Sequence, residues 1–271
     1  MPGALTFFGS GEAAPGMVRV HRLLLKLLSD PPRPIFIDTP AGFELGLESI
    51  HERFQAFFSR NLKLPLEIAS FRHSEADAAV AASALTAIAH GNYLLAGPGS
   101  PTYAVRHWRD TAVYSAMVQR WLSGAQLLLA SSAAIAIGRH ALPVYEIYKV
   151  GQEPHWTPGL DLLGPFGLEL AVVPHWNNAE GGTHDTSACF MGASRFARLQ
   201  KLLPPTAVIL GIDEHTACIF DLDRGQMRVE GKGGITIHCG GDIQRFAAGQ
   251  SLSISELHLM PHKAKAPFED S

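Results

Sequence analysis

The feature that most constrains this chain is an alternation in its first half. Short apolar runs at 4–8, 35–37, 66–71, 93–96 and 126–130 are separated by segments whose apolar residues recur every three or four positions. Such runs read as buried strands and the spaced segments as amphipathic helices. The helices are expected at 17–28, around Ile50, Phe54, Phe57 and Phe58, over the alanine-rich 76–89, and over 102–122 with a break. Pro31-Pro32 and Gly91 stand where helices should stop. Strand and helix repeated in this way predict an α/β fold. The expected form is a three-layer sandwich whose mostly parallel, doubly wound sheet carries helices on both faces. Ligands of such sheets bind at the carboxyl ends of the strands. That directs attention to the loops at 9–12 and 97–100 and to the turn after Ala130.

The second half changes character. A strand is expected at 168–173 and a helix at 195–203, stopped by Pro204-Pro205. Four strand-like runs follow, at 207–212, 216–222, 226–230 and 235–238, with Asp223-Arg224-Gly225 as a hairpin turn. They predict a C-terminal meander that extends the sheet. With no linker, repeat or low-complexity stretch, residues 1–271 read as a single domain.

Composition excludes several classes of function. Hydrophobic residues make up 46% and charged residues 17%, too apolar for a disordered chain. The 22 basic and 25 acidic side chains leave a net charge of -3, with no general pull on nucleic acid or anionic lipid. No run reaches the roughly 18 apolar residues of a membrane span. The opening MPGALTFFGSGE has no basic segment leading into a long apolar one, so a cytoplasmic protein is expected. Three cysteines without CxxC spacing argue against a disulfide framework or a cysteine-rich zinc site. His175, His184, Asp185 and Cys189 lie close in sequence but lack the spacing of a helical zinc motif, so neither metal nor cofactor is expected.

The chemistry concentrates at LLLASSAAIAIG, residues 127–138. An apolar strand runs into two serines and then into small residues that can start a helix. That is the layout of a nucleophile elbow, in which small residues two before and two after the nucleophile let strand and helix approach. Ala130 and Ala134 hold those places around Ser132. Around Ser131 they would be Leu129 and Ala133, and leucine is large. Ser132 is therefore the expected nucleophile.

Beyond the elbow, several segments together resemble the S51 serine peptidases, which include cyanophycinase and aspartyl dipeptidase (peptidase E). Ser132-Ala133 resembles that family's serine-alanine-glycine elbow. Gly97-Pro98-Gly99-Ser100 falls where the family has a glycine-rich loop, and Val173-Pro174-His175-Trp176 is similar to the segment carrying its catalytic histidine. Arg195-Phe196-Ala197-Arg198-Leu199 resembles an arginine-rich helix start. Gly211-Ile212-Asp213-Glu214-His215-Thr216-Ala217 is close to a Gly-Ile-Asp-Glu-Asp-Thr-Ala segment, the most specific piece of the match. Gly231-Lys232-Gly233-Gly234-Ile235-Thr236 resembles a Gly-x-Gly-x-Val-Thr. The resemblance spans residues 4–240 and implies the fold of class I glutamine amidotransferases. The sequence departs from the family in placing alanines at both elbow glycines and Ile135 where a small residue is usual.

A serine hydroxyl needs a base, and the base needs a carboxylate. Of 13 histidines, His175 is the expected base, since it follows a strand and would emerge near the elbow. The carboxylate candidates are Glu146, Glu153 and Asp161. The resemblance implies an acid between serine and histidine at the offset of Glu146, for which a buried salt bridge to Lys149 is the structural alternative. The N–H groups of Ala133 and Gly99 are the expected oxyanion hole. The family match suggests Arg195 as a partner for a substrate carboxylate, and His184 is a candidate substrate contact in its polar loop. The expected activity is a serine peptidase or amidohydrolase with a Ser-His-Glu triad, acting on a short peptide or amide. A homodimer is compatible with the sequence. The rival is a catalytically silent small-molecule or peptide binder on the same scaffold, which the elbow alanines favour. An amidotransferase proper needs an elbow cysteine. A phosphate loop needs its lysine, and a dinucleotide site the third glycine after Gly9-Ser10-Gly11.

Overall fold

The computed structural model describes residues 1–259. Its strands are β1 (Leu5–Phe8), β2 (Pro34–Ile37), β3 (Glu67–Ala69), β4 (Tyr93–Ala96), β5 (Gln126–Ala130), β6 (His140–Ala141), β7 (Thr157–Pro158), β8 (Leu170–Val173), β9 (Val208–Ile212), β10 (Thr216–Asp221), β11 (Gln226–Gly231), β12 (Gly234–Cys239), β13 (Asp242–Ala247) and β14 (Ser251–Ser253). Eight form the main sheet in the order β14-β11-β10-β1-β5-β4-β2-β3. From β1 to β3 the neighbours are parallel, and β10, β11 and β14 add antiparallel strands.

The parallel strands are apolar on both faces because both are covered. Leu5, Phe7, Ile35, Ile37, Leu94, Leu127 and Leu129 face one layer, with Trp108, Met117 and Trp121 from its helices. The alternate residues Phe8, Phe36, Tyr93, Leu95 and Leu128 face the other, where they meet Val20, Leu24, Phe54 and Phe58. Side chains two apart share a face, so each strand serves two cores. Phe36 stacks on Phe54 with ring centroids 4.4 Å apart. The result is the α/β three-layer sandwich that the alternation predicts.

The break expected within 102–122 separates two helices, Pro101–Trp108 and Ala112–Leu122. Asp110 adopts φ 59°, and the Thr111 hydroxyl accepts the Tyr114 N–H as the second helix starts.

The C-terminal strands correct the expected meander. β10 and β11 extend the main sheet as a hairpin, but β9 and β12 join a separate four-stranded sheet, β13-β12-β9-β8. The strand before His175 belongs to this second sheet. The chain leaves one sheet at Ile212 and enters the other at Thr216, so Asp213-Glu214-His215 is the crossing point. The buried Asp213 holds the crossing, accepting hydrogen bonds from Gly234 N–H at 2.9 Å and Arg245 at 3.1 Å.

Candidate active site

β5 delivers the elbow. Ser131 follows its last residue and donates its N–H to Phe8 O at 3.2 Å. It takes φ 50° and ψ −115°, a conformation an L-residue adopts only where surrounding structure enforces it. The helix Ser132–Ala136 starts directly after it. The turn aims the Ser131 hydroxyl at His175, with Oγ 3.0 Å from Nε2.

His175 follows β8 and is also in the left-handed region, at φ 50°. Its N–H donates to Gly9 O at 3.1 Å and its carbonyl accepts from Asn178 and Cys189. These bonds tie the histidine backbone to the loop after β1, the strand beside β5. Its Nδ1 lies 2.9 Å from Glu214 Oε1. Glu214 also accepts from the buried Asn178 amide at 3.1 Å, and Asn177 Oδ1 accepts the Glu214 N–H at 2.7 Å. Burial pushes the Glu214 carboxyl up. Bonds from His175 and Asn178 and the nearby His175 and His215 charges outweigh it, holding the carboxyl below its usual range.

Ser131, His175 and Glu214 thus form a continuous chain of hydrogen bonds, and two of its members are not those the sequence singled out. Ser132 lies one residue further on, inside the helix; it also lines the cavity but is 1% exposed, with a hydroxyl that has no partner among the described residues. The steric argument against Ser131 fails because Leu129 turns into the core, packed with Ala133 and Ala134. The close approach falls instead between Ala130 and Gly97, where a Cβ on Gly97 would stand 2.1 Å from Ala130 O.

Glu146 does not reach His175. It accepts the Thr102 hydroxyl at 2.6 Å, on the short helix Val144–Tyr148. Nor does it pair with Lys149, whose Nζ sits 4.8 Å from the centroid of the Tyr148 ring. The other two candidates are also engaged elsewhere, Glu153 with Arg198 and Asp161 with Arg139 at 3.5 Å. Glu214 was legible only as part of the Gly-Ile-Asp-Glu segment, since no spacing rule links it to His175.

A cavity of about 730 Å³ opens over Ser131 and His175. Gly99 lines it at φ +146°, and a Cβ there would stand 1.8 Å from Pro40 O, so the position requires glycine. With Ser131 at the elbow, the N–H after it belongs to Ser132; Ala133, expected in that place, is one residue too far along. His184 lines the mouth, stacked against Tyr148 with centroids 6.5 Å apart. Arg195 does not line the cavity and is exposed on the helix Gly192–Gln200.

Glu12 and Cys189 also line the cavity. Burial raises the Glu12 carboxyl, against its own backbone hydrogen bond and the charges of Arg53, His175 and His215. Burial, with the Glu214 charge, pushes the Cys189 thiol up to about 12, so it is no thiolate nucleophile at neutral pH. Asp185 is occupied with the N–H groups of Ser187 and Ala193. Among the described residues no three His, Cys, Asp or Glu side chains gather as a metal site would require. No helix among them is long and apolar enough to cross a membrane.

The same architecture occurs in solved peptidases. A crystal structure of a peptidase from an acI-B1 Actinobacterium superposes with a TM-score of 0.77 at 22% identity, covering 93% of this chain and 97% of that one. The two chains share one fold. A putative peptidase E protein from Listeria monocytogenes EGD-e is similar more distantly, with a TM-score of 0.52 at 12% identity, over 92% of this chain and 100% of the other. No family model and no curated protein matches the sequence.

Proposed function

We propose that the protein is a serine peptidase or amidohydrolase of the S51 type, with Ser131, His175 and Glu214 as its triad. One observation carries this reading: the Ser131 Oγ–His175 Nε2 contact of 3.0 Å, continued by His175 Nδ1–Glu214 at 2.9 Å. Nucleophile, base and orienting carboxylate are recognised by such geometry and not by sequence order. The peptidase fold of the two solved relatives supports the class of reaction.

In this mechanism His175 Nε2 takes the Ser131 proton as Oγ bonds to the substrate carbonyl carbon. The carbonyl oxygen becomes an oxyanion, held by the N–H groups of Ser132 and Gly99. Collapse expels the amine, which leaves with the proton from His175. Water, deprotonated by the same nitrogen, then frees the acid and restores the serine. Glu214 keeps Nδ1 protonated and stabilises the imidazolium. The cavity suits a short peptide or amide, with His184 as a contact at its mouth.

A fluorophosphonate probe tests the assignment. Labelling should occur at Ser131, persist in Ser132→Ala and vanish in Ser131→Ala. Absence of labelling in the wild type would favour the silent binding protein, and labelling at Ser132 would restore the other serine.

A further inference from the structure

We infer that the cavity takes a substrate whose side chain next to the scissile bond is apolar and of aromatic size, not acidic. The inference rests on the serine-hydrolase reading, because it positions that side chain by reference to Ser131.

The wall beside the base is apolar. Ile135, Val144 and Cys189 are buried in it, and Phe190 and Tyr148 are half-buried. The Phe190 ring centroid is 6.0 Å from that of His175 and 5.3 Å from that of Tyr148. An aromatic surface therefore starts at His175 and runs outward through two further rings. The backbone forms it with an unusual turn, in which Ala188, Cys189 and Phe190 all have positive φ, at 50°, 59° and 68°. Cys189 contributes as a small hydrophobe, its thiol kept neutral.

The charges lie in the wrong places for an acidic side chain. Of the charged residues lining the cavity only Glu12 is buried, and it is a carboxyl. Arg53, Lys149 and Glu180 are exposed at the mouth. Lys149 rests over the Tyr148 ring, and the Arg53 guanidinium lies 5.4 Å from the centroid of the Phe54 ring. A substrate carboxylate drawn into the interior would meet Glu12 and no buried cation, and unpaired charge is costly to desolvate. An aromatic side chain would exchange water for the Phe190–Tyr148 surface.

Two measurements decide it. Among p-nitrophenyl esters, kcat/KM should fall in the order hydrocinnamate, acetate, succinate. The hydrocinnamate-to-acetate ratio should drop by about tenfold or more in Phe190→Ala, the scale expected for losing one apolar wall of a pocket. Tyr148→Ala repeats the test should Phe190→Ala fail to fold. Separately, the Ser131→Ala protein should bind hydrocinnamamide more tightly than succinamate by calorimetry. Faster hydrolysis of the succinyl ester, tighter succinamate binding, or an unchanged ratio in both folded variants would overturn the inference. Full esterase activity in Ser131→Ala would instead remove the nucleophile assignment, and the two amides would then decide the pocket's preference alone.

Discussion

Glu214 lies 39 positions beyond His175, yet its Oε1 sits 2.9 Å from His175 Nδ1. The pairing depends on the chain changing sheets between β9 and β10. Were these strands consecutive members of one meander, Glu214 would sit in an ordinary hairpin turn. Because they belong to different sheets, the crossing residues are held against the loop after β8 by Trp176 N–H to Ile212 O at 3.0 Å and Asn177 to Glu214 N–H.

The two adjacent serines separate cleanly. Ser131→Ala should lower kcat by several orders of magnitude, leaving what the oxyanion hole and binding supply. Ser132→Ala should keep kcat within a factor of about three, since its hydroxyl has no partner among the described residues and its N–H remains. Steady-state rates on one substrate decide; equal losses in both would remove Ser131 as the sole nucleophile.

The two glutamates should differ as strongly. Glu214→Gln should cost roughly 10²–10⁴-fold in kcat, the range for losing the charge that orients a triad histidine. Glu146→Gln weakens only the bond from Thr102, and about 1 kcal/mol of stability is the expected cost. Paired kcat and urea-unfolding measurements distinguish them, and a Glu146 variant more impaired in kcat than the Glu214 variant would reverse the roles.

Arg195→Ala should leave kcat/KM within about twofold on any substrate, acidic ones included, as expected for an exposed side chain outside the cavity. A tenfold loss confined to acidic substrates would bring Arg195 back as a carboxylate partner.

Stability should fall on mild acidification because of His21. This histidine is buried between the Tyr93 hydroxyl at 2.8 Å and Glu12 O at 2.7 Å. Burial lowers its pKa to about 4, against the backbone bond to Glu12, which raises it. The unfolded histidine titrates near 6.5. Between these values the unfolded chain binds the extra proton, so stability drops as pH falls from about 6.5 to about 4, by on the order of 3 kcal/mol in all. Glu12, raised by burial, acts in the opposite sense: its contribution is present below the ordinary carboxylate range and lost as pH rises through its folded value. Comparing urea midpoints of wild type and His21→Gln at pH 4.5 and 7 isolates the histidine. An unchanged pH slope in the variant would exclude His21 as the cause.

Local pattern accounts for the parts of this architecture set by near neighbours in the chain. The five parallel strands and their covering helices follow from short apolar runs alternating with three- and four-residue spacing, because period and burial are set within a dozen residues. The elbow's position after β5 and His175 after β8 were legible for the same reason. Only the tertiary fold selects which of two adjacent serines meets His175. The Ser131 backbone at φ 50° turns its half-buried hydroxyl toward His175 and leaves that of Ser132 buried in the helix start, and composition is nearly blind to that. It also decided that Glu214, and not Glu146, meets His175, since strands of similar apolar composition divide between two sheets through long-range hydrogen bonds. A side chain's partner across 39 positions depends on that division, which no local spacing encodes.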